Sequence, residues 1–304
     1  MPKAASEIGV ACVQMEPRIG AVADNIGKSV AMVEQAADRG AELIVLPELC
    51  NSGYVFKSVE EAESLAEDPR TGPAARAWAA VAARRRVHLV AGLNERAGGR
   101  IYNAAVVIGP QGVLGVFRKV HLWDMENHFF SRGDLGFPVF ALPFGRIGVF
   151  ICYDGWFPES YRMCALQGAD MICVPTNWVP MPDQPPGREV MANTLAIAGA
   201  HSNAVFVAAA DRVGTERGQP FLGRSLIVGP AGWPLAGPAS AEGEEILFAQ
   251  VDLAEAARRR QLNANNHVLN DRRPEVYVGM AATAAGRRRA RATCWTSRLP
   301  SGSR

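Results

Sequence analysis

Short apolar runs alternate with amphipathic stretches along the first half of this chain, a pattern that predicts strands and helices in turn. Residues 24–39 repeat apolar side chains at helical spacing and stop at Gly40, a common residue just past a helix end. A second, alanine-rich helix is predicted from Thr71, as its N-cap, to about Arg86. The predicted strands cover residues 8–15, 43–47, 87–93, 102–108 and 113–118.

The second half of the chain repeats this alternation. Its predicted elements are strands at residues 147–151, 171–174 and 204–210 and helices at residues 158–168 and 188–200. A Gly-Pro-x-Gly turn at residues 109–112 recurs at residues 229–232, each time between two apolar runs. The alternation predicts an α/β architecture. The repeated turn indicates two pseudo-symmetric halves that each supply one sheet, and we expect a single domain over residues 1–280.

Composition and charge are those of a globular enzyme. Hydrophobic residues make up 48% of the 304 residues and charged residues 20%, which is ample for a large core. The net charge is +2, but residues 281–304 contain six arginines and no acidic residue, so residues 1–280 carry a net charge of −4. We therefore expect a basic, disordered C-terminal tail on a mildly acidic domain, and no nucleic-acid partner.

Targeting signals and cysteine spacing bear on location. No apolar run approaches the roughly 18 residues that cross a bilayer, and the first seven residues lack the apolar region of a signal peptide. The six cysteines form no Cys-x-x-Cys pair and show no metal-ligand spacing. We expect a reduced, cytoplasmic protein that uses no membrane partner, no metal and no cofactor.

Three reactive residues stand at the ends of predicted strands. Glu48 follows the run at residues 43–47, Lys119 follows the strand that starts at residue 113, and Cys152 follows the run that ends at residue 151. Strand ends in α/β proteins line clefts, so we expect the three side chains to converge on one pocket. A thiol beside a base and a cation can act as a nucleophile. The pattern predicts a hydrolase with a cysteine nucleophile.

Each of these residues, taken alone, has a simpler interpretation. Cys152 could be a structural cysteine at a strand end, Glu48 a solvated loop residue, and Lys119 part of a solvated strand edge with Arg118. Their matching positions favour function. A papain-type enzyme would need a histidine base, and no cysteine-protease motif contains any of the scattered histidines, which are His88, His121, His128, His201 and His267.

The segments around these residues resemble the three signature motifs of the nitrilase superfamily, the carbon–nitrogen hydrolases, in the family's order and at similar intervals. The three segments are Leu46-Pro47-Glu48, Arg118-Lys119-Val120-His121-Leu122 and Ile151-Cys152-Tyr153-Asp154. The resemblance covers residues 7–278. It implies a four-layer α-β-β-α sandwich of two mixed sheets, usually assembled into homodimers or larger homo-oligomers.

The resemblance also implies a Glu-Lys-Cys triad. Glu48 corresponds to the general base, Lys119 to the cationic stabiliser of the oxyanion, and Cys152 to the nucleophile. The backbone N–H of Tyr153 would be a second oxyanion donor.

Many members of the family have a second glutamate a few residues beyond the lysine. Glu126 matches that position, and the nearby Asp124 is the alternative. His121 and His128 flank Glu126 and either line the pocket or serve as hydrogen-bonded structural residues.

The nucleophile motif bears on the substrate. Members that cleave nitriles typically have Cys-Trp-Glu, whereas this chain has Cys152-Tyr153-Asp154, which favours an amidase-like branch. N-carbamoyl-D-amino-acid hydrolases have an arginine pair after the motif, where this chain has Gly155-Trp156, and this disfavours a free amino-acid carboxylate. The expected substrate is a small neutral or amine-bearing primary amide. A nitrilase, an N-carbamoyl amine amidohydrolase and a non-catalytic scaffold of the same fold are the alternatives.

The proline-rich segment at residues 177–187 is too apolar for a linker and is predicted to form a pocket wall. Packing in the core or at an oligomer interface is the alternative for each aromatic residue nearby. The predicted substrate contacts are Tyr54, Phe129, Trp156, Asn177 and Trp178.

Overall fold

Two mixed β-sheets of six strands each form the fold in this computed structural model, which describes residues 6–185 and 187–277. The strands are β1 (Glu7–Gln14), β2 (Ala41–Val45), β3 (His88–Ala97), β4 (Arg100–Gly109), β5 (Gly112–Arg118), β6 (Val139–Leu142), β7 (Gly145–Val149), β8 (Met171–Pro175), β9 (Phe206–Ala210), the hairpin β10 (Thr215–Glu216) and β11 (Gln219–Pro220), β12 (Leu226–Val228), β13 (Pro234–Ala236) and β14 (Glu245–Asp252). The helices are α1 (Val22–Asp38), α2 (Val59–Ser64), α3 (Pro73–Arg85), α4 (Glu126–Phe129), α5 (Pro158–Leu166), α6 (Met191–Asn203) and α7 (Ala254–Arg260), with a 3₁₀ helix at Cys152–Trp156.

The two sheets share one strand order. The first runs β14-β1-β2-β3-β4-β5 and the second runs β6-β7-β8-β9-β12-β13. In each, three parallel strands lie between one antiparallel strand on one side and two on the other. The two Gly-Pro-x-Gly turns occupy equivalent places, between β4 and β5 and between β12 and β13. The pseudo-symmetric halves predicted from the sequence are confirmed.

Helices cover the outer face of each sheet. Helices α1 and α3 pack on the first sheet, α5 and α6 pack on the second, and β1, β2 and β3 contact β8 and β9 across the interior. Buried apolar side chains join α1 and α3 to the first sheet, and the indole of the fully buried Trp78 donates a hydrogen bond to Ser29 Oγ at 2.9 Å. Apolar faces of sheets and helices are removed from water in this arrangement, which is the predicted four-layer α/β sandwich.

Element boundaries differ from the prediction in a few places. Helix α3 begins at Pro73 with Gly72 as its N-cap, so the prediction of Thr71 as N-cap is wrong. Proline fits the first helical position because it lacks the N–H that would have no acceptor there. Thr71 instead donates its N–H to Asp68 Oδ1 in the preceding turn. The helix predicted at residues 188–200 starts three residues later, and the strand before Cys152 ends at Val149.

The chain divides into two compact units, Met1–Gln261 and Leu262–Arg304, and the sandwich belongs to the first. The predicted tail at residues 281–304 lies outside the described residues, and a single domain up to residue 280 stays a prediction. No helix in the described part of the chain is long and apolar enough to cross a membrane. Five cysteines, Cys12, Cys50, Cys152, Cys164 and Cys173, are buried free thiols.

Candidate active site

The carboxyl ends of the two sheets meet at one edge of the sandwich. A parallel bridge pairs Met15, which follows β1, with Arg212, which follows β9. Glu48 donates its N–H to the Thr176 carbonyl at 3.4 Å, and its own carbonyl accepts from Asn177 Nδ2 at 3.0 Å. The residues after β2 and β8 are therefore hydrogen-bonded to each other across the interior, and the site lies at this junction.

The turn that carries Glu48 packs against the backbone of β3. Leu49 adopts a left-handed conformation with φ of 47°, which is uncommon for a branched side chain. Gly92 of β3 faces this turn, and a Cβ at that position would overlap the Pro47 carbonyl oxygen and Glu48 Cα. Only glycine allows this close approach, so Gly92 contributes to the position of Glu48.

Lys119 lies between two carboxylates. Its Nζ donates to Glu48 Oε1 at 2.6 Å and to Glu126 Oε1 at 2.7 Å, and the side chain is fully buried. Burial by itself lowers the pKa of Lys119, but the charges of Glu126 and Glu48 outweigh it and hold the pKa above its usual value. Lysine has three N–H donors, so this cation is permanently charged and has one donor beyond these two contacts.

Asn103 of β4 is a second hydrogen-bond donor to Glu48. Its Nδ2 donates to Glu48 Oε1 at 2.6 Å, and its backbone carbonyl accepts from the Lys119 N–H at 2.8 Å. Both strong donors thus bind the same carboxylate oxygen. Glu48 Oε2 has no hydrogen-bond partner among the described residues, which leaves it as the oxygen that can accept a proton.

Glu126, at the start of the short helix α4, is also buried. Its Oε1 accepts from the Tyr54 hydroxyl at 2.7 Å as well as from Lys119, and its Oε2 accepts from the Trp123 N–H at 3.1 Å. Burial and the nearby charge of Glu48 raise the pKa of Glu126 to about 7, although the contact with Lys119 opposes this. Glu126 therefore changes charge near neutral pH.

Cys152 begins the 3₁₀ helix and has a left-handed backbone conformation with φ of 46°. Such conformations in residues other than glycine cluster at functional sites. The residue is 7% exposed. Burial and the charge of Glu48 raise the pKa of the Cys152 thiol well above its usual value, against a smaller opposing effect of Lys119. The resting nucleophile is a thiol, so its attack requires a base.

The 3₁₀ helix is held by the buried Asp154. Its Oδ2 accepts from the Ile151 N–H at 3.1 Å, and its Oδ1 accepts from the His121 N–H at 2.9 Å and lies 2.7 Å from His121 Nδ1. The imidazole also stacks on Phe157 with ring centroids 3.7 Å apart. Tyr153 occupies the second position of this helix, where a backbone N–H has no acceptor within the helix.

Two of the cavities that adjoin these residues share the side chains of Trp123 and Val179. The first lies beside Cys152 and has an empty volume of about 270 Å³ that is partly open to solvent, and its lining includes Trp123, Tyr153, Trp156, Asn177, Trp178 and Val179. The second has an empty volume of about 520 Å³, also partly open to solvent, and its lining includes Tyr54, Trp123, Asp124, Glu126, Phe129 and Val179. No lysine, arginine or histidine within the described ranges lines either cavity.

The predicted substrate contacts are divided between these cavities. Trp156, Asn177 and Trp178 line the first cavity, whereas Tyr54 and Phe129 line the second. Tyr54 was predicted as an apolar contact, yet its hydroxyl binds the second glutamate. Phe129 also packs on a small apolar cluster outside the main core. The proline-rich segment forms part of the wall of both cavities through Val179.

The structure distinguishes the alternatives near Lys119. Glu126 contacts the ammonium, whereas Asp124 is exposed and lines the second cavity. His121 is bound by the carboxylate in the nucleophile motif, and His128 is exposed. Neither histidine lines the cavities.

Two residues of the site have no counterpart in the sequence-based prediction. Asn103 is a polar side chain inside an otherwise apolar strand, and this is a signal that the sequence offers. Trp123 lines both cavities and lies four residues beyond Lys119. Within the described ranges, no group of three or more His, Cys, Asp or Glu side chains is arranged to hold a metal ion.

Activity is expected to rise with pH through about 7, because the ionised form of Glu126 pairs with Lys119 and its pKa is raised to about 7. Glu126→Gln is neutral at every pH and keeps a weaker acceptor. Hydrogen bonds to charged groups contribute about 1.5–3 kcal/mol, so we expect a loss of about 10- to 100-fold in kcat/KM above pH 7. The variant's pH profile should lack the acidic limb near 7.

The control for this prediction is Glu67→Gln. Glu67 is another buried carboxyl whose pKa is raised by burial, and it accepts the Ala74 N–H outside the site. Its variant should keep the limb. An unchanged limb in Glu126→Gln would assign the ionisation to a different group.

Comparisons with known proteins show the family of this chain. A carbon-nitrogen hydrolase family model matches residues 9–261. A protein of Pyrococcus abyssi described as a nitrilase is 42% identical over 270 residues, which cover 89% of this chain and 99% of that protein. An N-carbamoylputrescine amidase of Arabidopsis thaliana is 32% identical over 273 residues, which cover 84% of this chain and 89% of the plant protein.

A solved structure shows the same fold. It is a mutant of the amidase from Nesterenkonia sp. AN1 with covalent addition of the acetamide moiety of fluoroacetamide at the active site cysteine. It matches with a TM-score of 0.74 at 26% identity, covering 92% of this chain and 98% of that chain. The family match, these relatives and the shared fold lead to one assignment. The chain belongs to the carbon–nitrogen hydrolase family of the nitrilase superfamily, in its amidase-like branch, and is a hydrolase of carbon–nitrogen bonds other than peptide bonds.

Proposed function

We propose that this enzyme hydrolyses a small primary amide to a carboxylate and ammonia through a thioester on Cys152. The observation that carries the proposal is the buried Lys119 ammonium, held 2.6 Å from Glu48 and 2.7 Å from Glu126. The Lys119 ammonium and the Glu48 carboxylate both lie within electrostatic range of Cys152, which lines the first cavity.

Acylation begins with proton transfer. The raised pKa of the Cys152 thiol makes a free thiolate scarce at neutral pH. Glu48 takes the thiol proton as the sulfur attacks the amide carbon. The unpartnered Oε2 of Glu48 is suited to this step, because the other oxygen is occupied by Lys119 and Asn103.

The tetrahedral intermediate carries a negative charge on the former carbonyl oxygen. The remaining N–H of the Lys119 ammonium and the backbone N–H of Tyr153 donate to it. Donors fixed before the reaction stabilise such charge strongly in a site that excludes water. Glu126 holds the ammonium from the other side, so the cation does not follow the substrate.

Collapse of the intermediate breaks the carbon–nitrogen bond. Protonated Glu48 returns its proton to the leaving nitrogen, which departs as ammonia and leaves the Cys152 thioester. A water molecule then gives a proton to Glu48 and attacks the thioester carbon. The second intermediate releases the carboxylic acid, and the thiol regains its proton.

The cavities favour an apolar or amine-bearing acyl group. Aromatic side chains dominate the lining near Cys152, and the carboxylates of Asp124 and Glu126 are the only formal charges in the described linings. Aromatic faces bind both apolar chains and cations. Apart from the Lys119 ammonium, which is assigned to the oxyanion, no cation of the described residues lines either cavity to bind a carboxylate on the acyl group. This supports the expectation drawn from Gly155-Trp156.

A second candidate is the N-carbamoyl group of an amine, because the Arabidopsis thaliana relative is named for N-carbamoylputrescine. This group also ends in a C(=O)NH₂ unit, so the same steps apply to it. Nitrile hydrolysis is the third, since the Pyrococcus abyssi relative is described as a nitrilase. A nitrile has no carbonyl oxygen that could accept hydrogen bonds from Lys119 and the Tyr153 N–H.

Paired substrates test the proposal. An amide, the corresponding nitrile and the corresponding N-carbamoyl amine should be compared on one carbon skeleton by ammonia release. We expect kcat/KM to be at least about 10-fold higher for the amide than for the nitrile, since an unmade hydrogen bond from a fixed donor costs about 1–3 kcal/mol. A nitrile that is hydrolysed faster across several pairs contradicts the amidase proposal.

We also propose a homodimer or larger homo-oligomer in the cytoplasm. The assembly rests on the family resemblance, and exposed apolar side chains on α5 and α6, at Met163, Leu166 and Met191, are compatible with it. The location rests on the five described cysteines, which are free thiols as in proteins of a reducing compartment.

A further inference from the structure

We propose that Glu216 is a positioning residue for Glu126 and that it acts through Tyr54. The inference rests on the proposed function, in which ionised Glu126 holds the Lys119 ammonium in place. Glu216 lies at the end of β10, far along the chain from the three catalytic residues, and touches none of their side chains among its described contacts.

Glu216 holds the backbone of the segment that carries Tyr54. It is 5% exposed, and its Oε2 accepts the N–H groups of two consecutive residues, Tyr54 at 2.8 Å and Val55 at 2.7 Å. Charge-assisted hydrogen bonds of this kind are about twice as strong as neutral ones. The carboxylate therefore fixes the direction in which the Tyr54 side chain leaves the backbone.

Tyr54 is held at both ends. Glu216 binds its N–H, and its hydroxyl donates to Glu126 Oε1 at 2.7 Å. Between these contacts, the ring packs edge-on against Phe221 with centroids 5.7 Å apart. A shift of the backbone therefore moves the hydroxyl away from Glu126.

A buried cation lies beside Glu216 and balances its charge. Arg212 is 1% exposed, and its NH1 lies 3.2 Å from Glu216 Oε1. Its guanidinium also lies over the Phe221 ring at 4.1 Å and donates to the Pro17 carbonyl at 2.8 Å. Gly53, with φ of 85°, passes between the Ile19 backbone and the Glu216 carboxylate, where a Cβ would overlap Ile19 Cα and lie 2.9 Å from Glu216 Oε1.

The proton equilibrium of Glu126 depends on the groups around it. Lys119 favours its ionised form, Glu48 opposes it, and the Tyr54 hydroxyl favours it by hydrogen bonding. Cys152 also lies within electrostatic range of Glu126. If the hydroxyl moves away, the ionised form loses a donor, and the acidic limb of the rate profile moves to higher pH.

Glu216 itself faces Arg212 as an ion pair, and Arg217 on the same hairpin acts on it electrostatically. Arg217 is occupied by Glu61, to which its guanidinium donates at 2.6 and 2.7 Å. The Glu216 carboxylate thus has two roles. It reaches the Tyr54 N–H, which a shorter side chain would change, and it balances the Arg212 charge, which a neutral side chain would change.

The test measures kcat/KM against pH on a primary amide. Tyr54→Phe removes the hydroxyl. The loss of this one hydrogen bond should raise the apparent pKa of the acidic limb by roughly half to one pH unit. Glu216→Asp keeps the charge but shortens the side chain by one methylene, and it should raise the apparent pKa of the limb by a similar amount. Glu216→Gln keeps the reach and an acceptor oxygen, so its limb should stay in place while Tm falls.

The double variant decides whether Glu216 acts through Tyr54. In Tyr54→Phe, adding Glu216→Asp should shift the limb no further, because the hydroxyl that it positions is already absent. Additive shifts would overturn the inference, as would a limb that moves in Glu216→Gln but not in Glu216→Asp. Failure of both Glu216→Asp and Glu216→Ser to fold would show that the carboxylate supports the fold rather than the pH response.

The matched control is Asp170→Asn. Asp170 also accepts a backbone N–H, from Arg146 at 2.9 Å, and lies near a second arginine, Arg260. It precedes β8, at the opposite end of that strand from Thr176, so its profile should match the wild type. If Glu126→Gln keeps the limb, the proposed role of Glu126 fails. If the acidic limb disappears in Glu126→Gln but stays at the wild-type pH in Glu216→Asp, the role of Glu126 stands and only the role of Glu216 fails.

Discussion

Cys152→Ala is expected to lower the rate of amide hydrolysis by about 10⁴-fold or more, as removal of the nucleophile does in enzymes that form acyl intermediates. The thiol is the atom that joins the acyl group, and no other described cysteine lines the cavity beside it. The structural cost should be small, because one sulfur atom is removed at the edge of a cavity. Ammonia release from a primary amide measures the rate, and the thermal midpoint Tm measures the fold.

Intact mass spectrometry gives a second readout for this variant. Wild-type enzyme quenched during turnover should show the mass of the acyl thioester, and Cys152→Ala should show no adduct. Cys164→Ala is the matched control, because Cys164 is a fully buried free thiol within α5. It should retain activity and the adduct. Turnover by Cys152→Ala would contradict the thioester mechanism as a whole.

Lys119→Met is expected to lower kcat by about 100- to 1,000-fold, the usual effect of losing one oxyanion donor. Methionine keeps most of the apolar bulk of the side chain and removes the charge. The buried Lys119 ammonium has a pKa held above its usual value by Glu126 and Glu48, so it is charged at every pH of interest. The loss should therefore appear in kcat across the whole pH range, rather than in KM.

The same substitution should also destabilise the fold. It leaves two buried carboxylates, Glu48 and Glu126, without their shared cation, and breaking a buried ion pair in this way costs about 3–5 kcal/mol. The pKa of Glu126 is already raised to about 7, and it rises further when the cation is absent. A raised folded-state pKa of a carboxyl means that stability is lost as pH rises, so the Tm deficit relative to the wild type should grow as pH rises above about 7, where Glu126 is ionised in the wild type but still protonated in the variant.

Lys28→Met serves as the control for Lys119→Met. Lys28 also forms an ion pair, with Glu244 at 2.7 Å, but its side chain is 35% exposed and lies on α1. Activity should be unchanged and the change in Tm should not depend strongly on pH. Near-normal kcat in Lys119→Met would reassign the oxyanion contact to backbone donors alone.

Much of the fold follows from local patterns. The alternation of apolar runs and amphipathic helices predicts the strands and helices on both sheets, because each element buries one face or both. The repeated Gly-Pro-x-Gly turn indicates the internal symmetry, and the structure places the two turns between equivalent strands. Helix starts were less predictable: Thr71 and Pro73 offer competing signals, and the proline prevails because its ring suits the first turn.

The residues of the triad could be found in the sequence because each directly follows a predicted strand, although in the structure β2 ends at Val45 and β7 at Val149. Glu48, Lys119 and Cys152 are reactive side chains where a core residue would otherwise stand, and the resemblance relates them to one chemistry. Their roles stay proposals until the variants are measured. Asn103 shows the limit of this approach, since a polar residue within a strand signals a buried partner but does not say which one.

The sequence alone determined the strand-end positions of the reactive residues, the sandwich architecture and the family to which they belong. Only the tertiary structure decided that Lys119 contacts both glutamates, that Asp124 faces the second cavity instead, and that Glu216 binds the backbone of Tyr54. The physical reason is distance along the chain. Periodicity and strand ends reflect interactions between near neighbours, whereas hydrogen bonds between residues 162 positions apart depend on how the two sheets pack.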